Sequence, residues 1–386
     1  MKLEGVKVLE LALFLPGPHL AMMMADHGAD VIKIEPYPDG EPARAHGLRK
    51  AGMSVWFRNT HRGKRSLRLN LKDPRGREVF MRLAESADVI VESFRPGVVE
   101  RLGVGYAEVA KRAPQAIYCS ISAFGQTGAY RDKPAHDLAM EAMAGLISVT
   151  LGQDNQPAMP GIPAADMAGS LMALSGILMA LLRQRQTGRG DYLDISMHDS
   201  LLAWTPNVMG PIFAENRAAI PKHERTWGGA AFYNIYATRE GAHIVLGGVE
   251  HKFAENFLNK AGRADLIPLC HQPPGPVQDP VKSFIREFFG ARTLAESLEW
   301  LSTIDVCYAP VRTLKEGVFD PNTAARGMLL RDDQGLEHLG VPIKFSDEPA
   351  RPVLRAPELG EHSKEILAGL GYSSADIERY ANEGVV

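Results

Sequence analysis

VKVLELALFLPGPHLAMMMADHGADVIKIE, residues 6–35, decides how the chain is read. VKVLELA (6–12) is a short apolar run stopped by Pro and Gly, as a buried strand is. GPHLAMMMADHG follows with helical spacing and ends on Gly28, a natural helix C-cap. ADVIKIE (29–35) is a second strand. Working outward, helix-like GREVFMRLAESA (76–87) leads into DVIVESF (88–94), and QAIYCSISAFG (115–125) is another strand. This β-α-β-α-β order predicts an α/β fold, a parallel sheet covered by helices. Ligands in such sheets sit beyond the carboxyl ends of the strands. Those ends are LFLPGP, IEPYPDGEP, ESFRPG and SAFGQTG, and none is a GxGxxG or Walker A sequence.

The rest of the chain interrupts that pattern. GRGDYLDISMHDSLLAW (188–204) suggests a strand and a helix, and 205–224 reads as a linker. AFYNIYATREGAHIVLGGV (231–249) is a hairpin around Arg239-Glu240-Gly241, and helical patterns follow to about 305. Proline-rich QPPGPVQDP (272–280) marks a surface loop. The tail, LGEHSKEILAGLGYSSADIERYANEGVV, holds two short helices. The expected organisation is a large α/β domain over 1–204, completed by 340–386. A smaller α+β domain over 225–330 interrupts it, with 331–339 as the return linker.

Bulk properties narrow the function. Across 386 residues, 45% are hydrophobic, 23% are charged and the net charge is −3, so nothing favours nucleic acid or an anionic membrane as partner. Basic residues are scattered apart from HRGKRSLR (61–68). Three cysteines without a CxxC pair, and no apolar leader in MKLEGVKVLELA, point to a reducing, cytoplasmic setting. No His, Cys and Asp set has metal-ligand spacing, so no metal is expected.

One acid stands out. GIPAADMAGSLMALSGILMALL (161–182) places Asp166 at the mouth of an apolar helix, whose run from Met167 to Leu182 reads as buried. A buried carboxylate needs a partner or a use. Capping the helix is one use, and chemistry is another.

The motifs LPGPHLAMMMADHGADVIKIE, RGKRSLRLNLKDPRG, ADVIVESFRPGVVERLGVG, SAFGQTG, AHDLAMEAMAG, the Asp166 segment, QTGRGDYLDISMHD and LGEHSKEILAGLGY resemble, in this order, the class III CoA-transferase family. That family includes carnitine and formyl-CoA transferases and α-methylacyl-CoA racemases. The resemblance covers nearly the whole chain. It implies acyl-CoA thioester substrates, coenzyme A entering as part of the substrate with no prosthetic group, one reactive aspartate at Asp166, and an interlocked homodimer. At a helix N-terminus, backbone N–H groups would favour the charged form of Asp166, and could also hold a thioester oxyanion.

Two chemistries divide the family. A transferase uses the aspartate as nucleophile, forming a mixed anhydride and then an aspartyl-CoA thioester that an acceptor carboxylic acid resolves. A racemase needs two proton-exchanging groups on opposite faces of an enolate. The resemblance implies a His and an Asp for that pair, with a Glu supporting the His. His136 in AHDLAMEAMAG and Glu250 in LGGVEHKF stand at the matching positions. Leu15 stands near where formyl-CoA transferases carry a glutamine, and a leucine cannot hydrogen-bond a carboxylate. Racemisation of a 2-methylacyl-CoA is therefore the leading expectation, with CoA transfer second. His19 either stands near the thioester or simply starts a helix, the second being favoured, and His198 reads as structural.

The resemblance also implies a CoA site built from Arg65, Ser66, Leu67 and Arg68, from Ser93, Phe94 and Arg95, and from Arg101 and Lys133. Cations there would meet phosphates, Arg by paired hydrogen bonds, and Phe94 would flank adenine. The methionines of LAMMM and LMALSGILMAL would offer pliable lining to an acyl chain.

Overall fold

Six short segments pair side by side, the central ones apolar and buried on both faces and each needing neighbours to satisfy its backbone. The computed structural model describes residues 1–152 and 154–386. Its main sheet comprises β1 (Lys7–Glu10), β2 (Asp30–Pro36), β3 (Arg65–Leu69), β4 (Val89–Glu92), β5 (Ile117–Ser122) and β6 (Tyr192–Ser196). All neighbours are parallel, in the order β3-β2-β1-β4-β5-β6. The order reverses at β1, where chain connections to either side part, the place at which such sheets take their ligands.

Helices cover the sheet: α1 (Pro16–Asp26), α2 (Val55–His61), α3 (Pro74–Ala84), α4 (Asp137–Met143), α5 (Ala164–Thr187) and α6 (Met197–Ala203). Pro16 and Pro18 open α1, where their missing N–H groups and fixed φ cost nothing. The core joins Leu9, Ile34, Leu67, Phe80, Ile90 and Tyr118 to Ile366, Tyr380 and Val385 of the tail. The tail forms α9 (Ser363–Gly369) and α10 (Ser374–Asn382) on the outer edge of β3, where His362 N–H donates to Ser66 O at 3.0 Å.

Two compact units emerge. The first is Met1–Ala144, Gly161–Trp204 and Asp320–Val386; the second is Gly145–Pro160 and Thr205–Phe319. Segments 145–160 and 205–224, read from sequence as large domain and linker, group with the second unit. That unit carries an antiparallel sheet of β7 (Tyr233–Ala237), β8 (His243–Gly247) and β9 (Tyr308–Pro310), in the order β9-β8-β7. The helices α7 (His251–Lys260) and α8 (Asp279–Gly290) supply Phe257, Ile285 and Phe289 to its separate core.

One expectation is corrected, and the basic cluster is placed. HRGKRSLR is buried or half-buried throughout. It runs from the end of α2 into β3, with Arg62, Lys64, Ser66 and Leu67 buried. The helix α5 is not fully buried. One side packs on α1, β5, β6 and α6, but Met179 and Leu182 are 65% and 69% exposed, with Leu171 and Leu178 beside them on the open side. By length and composition alone this helix could cross a membrane.

A buried ionic network positions the loop after β1. Lys33 on β2 lies 3.1 Å from Glu10 and 2.8 Å from Glu41. Lys64 lies 2.6 Å from the other oxygen of Glu10 and donates to Pro18 O at 2.8 Å. Lys33 also donates to Ala12 O, and Glu41 accepts the Phe14 N–H at 2.9 Å. The backbone of 12–18, linking β1 to α1, is thus pinned from below by charges on β1, β2 and the segment before β3. Burial pulls Lys64 down to about 8 against the hold of Glu10, whereas Lys33, between two carboxylates, overcomes its burial and is raised.

Candidate active site

The topology brings two helix N-termini to one edge. α1 starts just beyond the carboxyl end of β1, and α5 ends just before β6 begins, so its first turn lies at the carboxyl edge. His19 of α1 and Ser170 of α5 share a hydrogen bond of 2.9 Å there. Asp166 stands one helical turn before Ser170, on the same face.

Asp166 does not cap its helix. The N-cap is Pro163, and Asp166 is the third helical residue. The cap comes from α4: Asp137 Oδ1 accepts the N–H of Ala165 at 2.8 Å and of Asp166 at 3.1 Å. Glu141 Oε1 accepts the N–H of Ala164 at 3.1 Å. The Met167 N–H bonds Pro163 O at 3.1 Å. The expectation that these amides stabilise the Asp166 charge, or serve as an oxyanion hole, is overturned, because their donors are already used. Burial, and then the nearby charge of Asp137, instead push Asp166 up from 3.8 to about 7. Among the described residues no group hydrogen-bonds its carboxylate. Glu141, 2% exposed, is also raised, by burial and by the hydrogen bond it shares with Asp137.

His136 is the N-cap of α4, next to the residue that holds Asp166 N–H. Its ring meets the edge of Phe14 at 6.3 Å between centroids. Phe14 lies in the loop after β1 with φ +65°, a left-handed conformation unfavourable for a bulky residue and held by the bond to Glu41. The rings of His46 and Trp56 stand 6.1 and 6.3 Å from Phe14, forming an aromatic wall. His19 is driven down to about 4, first by burial, then by Lys64 and Arg62, so it is neutral. His198, in α6, lies 3.2 Å from Asp199 and 5.6 Å from the Phe124 ring. Glu250 is on the second unit, the exposed N-cap residue of α7.

The other sequence-derived positions divide into two groups. At the carboxyl end of β4, Ser93 Oγ accepts the Leu13 N–H at 3.0 Å, tying this loop to the one that carries Phe14. Glu92 Oε2 accepts the Phe94 N–H at 2.7 Å, and burial raises Glu92 to about 7. Beyond it Gly97 has φ +83°, and a Cβ there would lie 3.1 Å from Arg101 Nη1 and 3.9 Å from Arg131 Nη2. Arg95, Arg101 and Lys133 are exposed, and Lys133 sits 5.3 Å over the Tyr130 ring. Arg101 and Arg131 thus approach one another over Gly97, with Arg95 and Lys133 on the same two connections after β4 and β5, a setting suited to a polyphosphate.

The second group is Arg65–Arg68, on β3 at the far edge of the sheet. Arg65 begins the strand and pairs with Asp30 at 2.6 Å and Glu365 at 3.1 Å. Ser66 Oγ donates to Glu35 at 2.6 Å, Leu67 is core, and the Arg68 guanidinium lies 5.0 Å from the Tyr37 ring. Arg65 lies at the start of the strand, whereas Arg68 lies near its carboxyl end, beside the loop that follows β2. The structure adds Asp137, Glu141, Phe14, Trp56 and Arg131. Asp137 and Glu141 were legible as an i, i+4 pair on one helix face; Phe14 and Trp56 carried no comparable signal.

Comparison with known proteins gives the family. Residues 3–363 match the model of CoA-transferase family III. The succinyl-CoA:glutarate CoA-transferase of Mus musculus is 30% identical over 403 residues, covering 100% of this chain and 90% of the relative. The alpha-methylacyl-CoA racemase of Homo sapiens is also 30% identical, over 390 residues, covering 100% of this chain and 98% of the relative. The crystal structure of a CAIB/BAIF family protein from Brucella suis superposes with a TM-score of 0.81 at 29% identity, covering 95% of this chain and 99% of that one. The chain belongs to CoA-transferase family III, a family of enzymes that handle CoA thioesters.

Proposed function

We propose that the enzyme racemises or epimerises a 2-methylacyl-CoA thioester by 1,1-proton transfer through an enolate. The observation that carries this reading is the buried Asp166, raised to about 7, whose backbone N–H is held by Asp137, the residue that follows His136 in the chain. A carboxyl near neutrality both accepts and returns a proton at working pH. One group removes the α-proton, and the C–H electron pair moves into the thioester carbonyl. The other group delivers a proton to the opposite face as the carbonyl re-forms. No oxidant and no acceptor acid are needed. The aromatic wall of Phe14, His46 and Trp56 shields the carbanionic carbon from water. The part of Glu250 follows the resemblance, and Glu250→Gln tests it through the pH dependence of inversion.

CoA transfer is the second reading, favoured by equal identity to the glutarate transferase and by the unbonded carboxylate of Asp166. Its ionised form would attack the thioester carbonyl and expel the CoA thiolate. That thiolate would then attack the aspartyl carbonyl of the mixed anhydride, releasing the donor carboxylate and leaving an aspartyl-CoA thioester. An acceptor carboxylate would resolve it through a second anhydride that CoA thiolate reopens at the acceptor's carbonyl, freeing Asp166. In either reading, Arg95, Arg101, Arg131 and Lys133 receive the CoA phosphates. A second copy of the chain covers the exposed face of α5.

The test is incubation of one 2-methylacyl-CoA enantiomer in D₂O, with and without an added carboxylic acid. Inversion with deuterium at the α-carbon, independent of the acid, is expected. CoA passing to the added acid without inversion, with Asp166 trapped as its thioester by borohydride, would replace this reading with the second.

A further inference from the structure

We propose that Asp137 is a positioning residue for Asp166: it caps the helix from outside and takes the helix's positive end for itself, leaving the reacting acid unassisted. The inference rests on the reading of Asp166 as the group that meets the substrate. A carboxylate in the first turn of a helix is ordinarily stabilised by the free N–H groups and the dipole. Here one oxygen of Asp137 takes two of those donors, at 2.8 and 3.1 Å, and Glu141 takes a third at 3.1 Å. The acids are four residues apart on α4, so they share a face and reach α5 together.

Two carboxyls that share a hydrogen bond cannot both be ionised. Glu141, buried, keeps the proton and donates it to Asp137. Of the pair, Asp137 is the one whose charge raises Asp166.

The other groups around α5 do not offset that charge. On α1, His19 is neutral and bonded to Ser170, and behind it Lys64 is paired with Glu10 and Arg62 with Asp26. On α6, His198 and Asp199 face each other at 3.2 Å. On α4 the remaining titratable group is His136, at the N-cap. Burial raises Asp166 first, and Asp137 is the charge that adds to it.

The test uses whole enzyme labelled with ¹³C at the Asp carboxyl carbons, without substrate, so that it does not depend on turnover. The Asp166 signal is assigned by its loss in Asp166→Asn. Asp137→Asn keeps an oxygen that accepts the two N–H groups but removes the charge. The Asp166 midpoint is expected to fall by about one pH unit, a tenfold loss of proton affinity. The acid limb of kcat/KM should move the same way. Glu141→Gln conserves both the donor to Asp137 and the acceptor for Ala164 N–H, and is expected to leave the midpoint in place. Asp137→Ser, a neutral cap of another shape, repeats the test if the amide prevents folding. An unchanged Asp166 midpoint in the folded neutral variant would overturn the proposal. Full activity in Asp166→Asn would instead overturn the reading of Asp166, leaving the titration result to stand on its own.

Discussion

Asp166 keeps its proton to about 7, where an unhindered aspartate releases it at 3.8. Because the folded value is the higher one, the stability this group contributes is complete below the unfolded value and is lost as pH rises through about 7. Asp166→Asn is therefore expected to raise Tm at about pH 8, by up to ~4 kcal/mol of stability, and to change it little at about pH 4. Thermal melts at the two pH values check this, and an equal effect at both would mean the site is not penalising the charge. Arg101 is read as meeting a phosphate through charge-assisted hydrogen bonds worth ~1.5–3 kcal/mol. Arg101→Ala is expected to raise KM for acyl-CoA about tenfold or more with little change in kcat, measured by steady-state kinetics. Asp166 was legible because an acid is conspicuous in an apolar run. Its charge state was not, because the donors expected to stabilise it are claimed by residues from another helix.

At the scale of elements, the loop joining β1 to α1 is shaped by what lies under it. Ala12, Phe14 and Pro18 are each fixed by a buried charge or its partner, which is how a left-handed Phe14 is sustained. Lys33→Met would leave Glu10 and Glu41 without a shared cation in a fully buried site. Breaking a buried pair on one side costs ~3–5 kcal/mol, which urea unfolding would register as a lowered midpoint with unchanged m. A loss under about 1 kcal/mol would mean that the network does not hold the loop. Strands of the sheet with alternating or continuous apolar runs could be read from the sequence. β3 could not: Arg-Ser-Leu-Arg has the composition of a surface patch, and only the acids on β2 and the tail make it a strand. The pairing partners are distant in sequence, so no local pattern announces them.

At the scale of the molecule, α5 is the feature left incomplete in one chain. Leu171, Leu178, Met179 and Leu182 form an apolar strip facing outward from a helix whose other side is packed. Patches of this kind mark association surfaces. Sedimentation is expected to give twice the mass of one chain, and Leu178→Glu with Leu182→Glu to lower it or to abolish soluble expression. A wild-type enzyme sedimenting as a single chain would remove the second copy from the account. The family was readable from ordered motifs across nearly the whole sequence, whereas the reaction was not, because both chemistries use the same aspartate. The measurement that decides most directly is α-deuterium incorporation with each pure enantiomer of a 2-methylacyl-CoA, in wild type, His136→Phe and Asp166→Asn. The account predicts inversion with deuterium uptake from either enantiomer in wild type, and no inversion in either variant. Inversion at the wild-type rate in Asp166→Asn would contradict it.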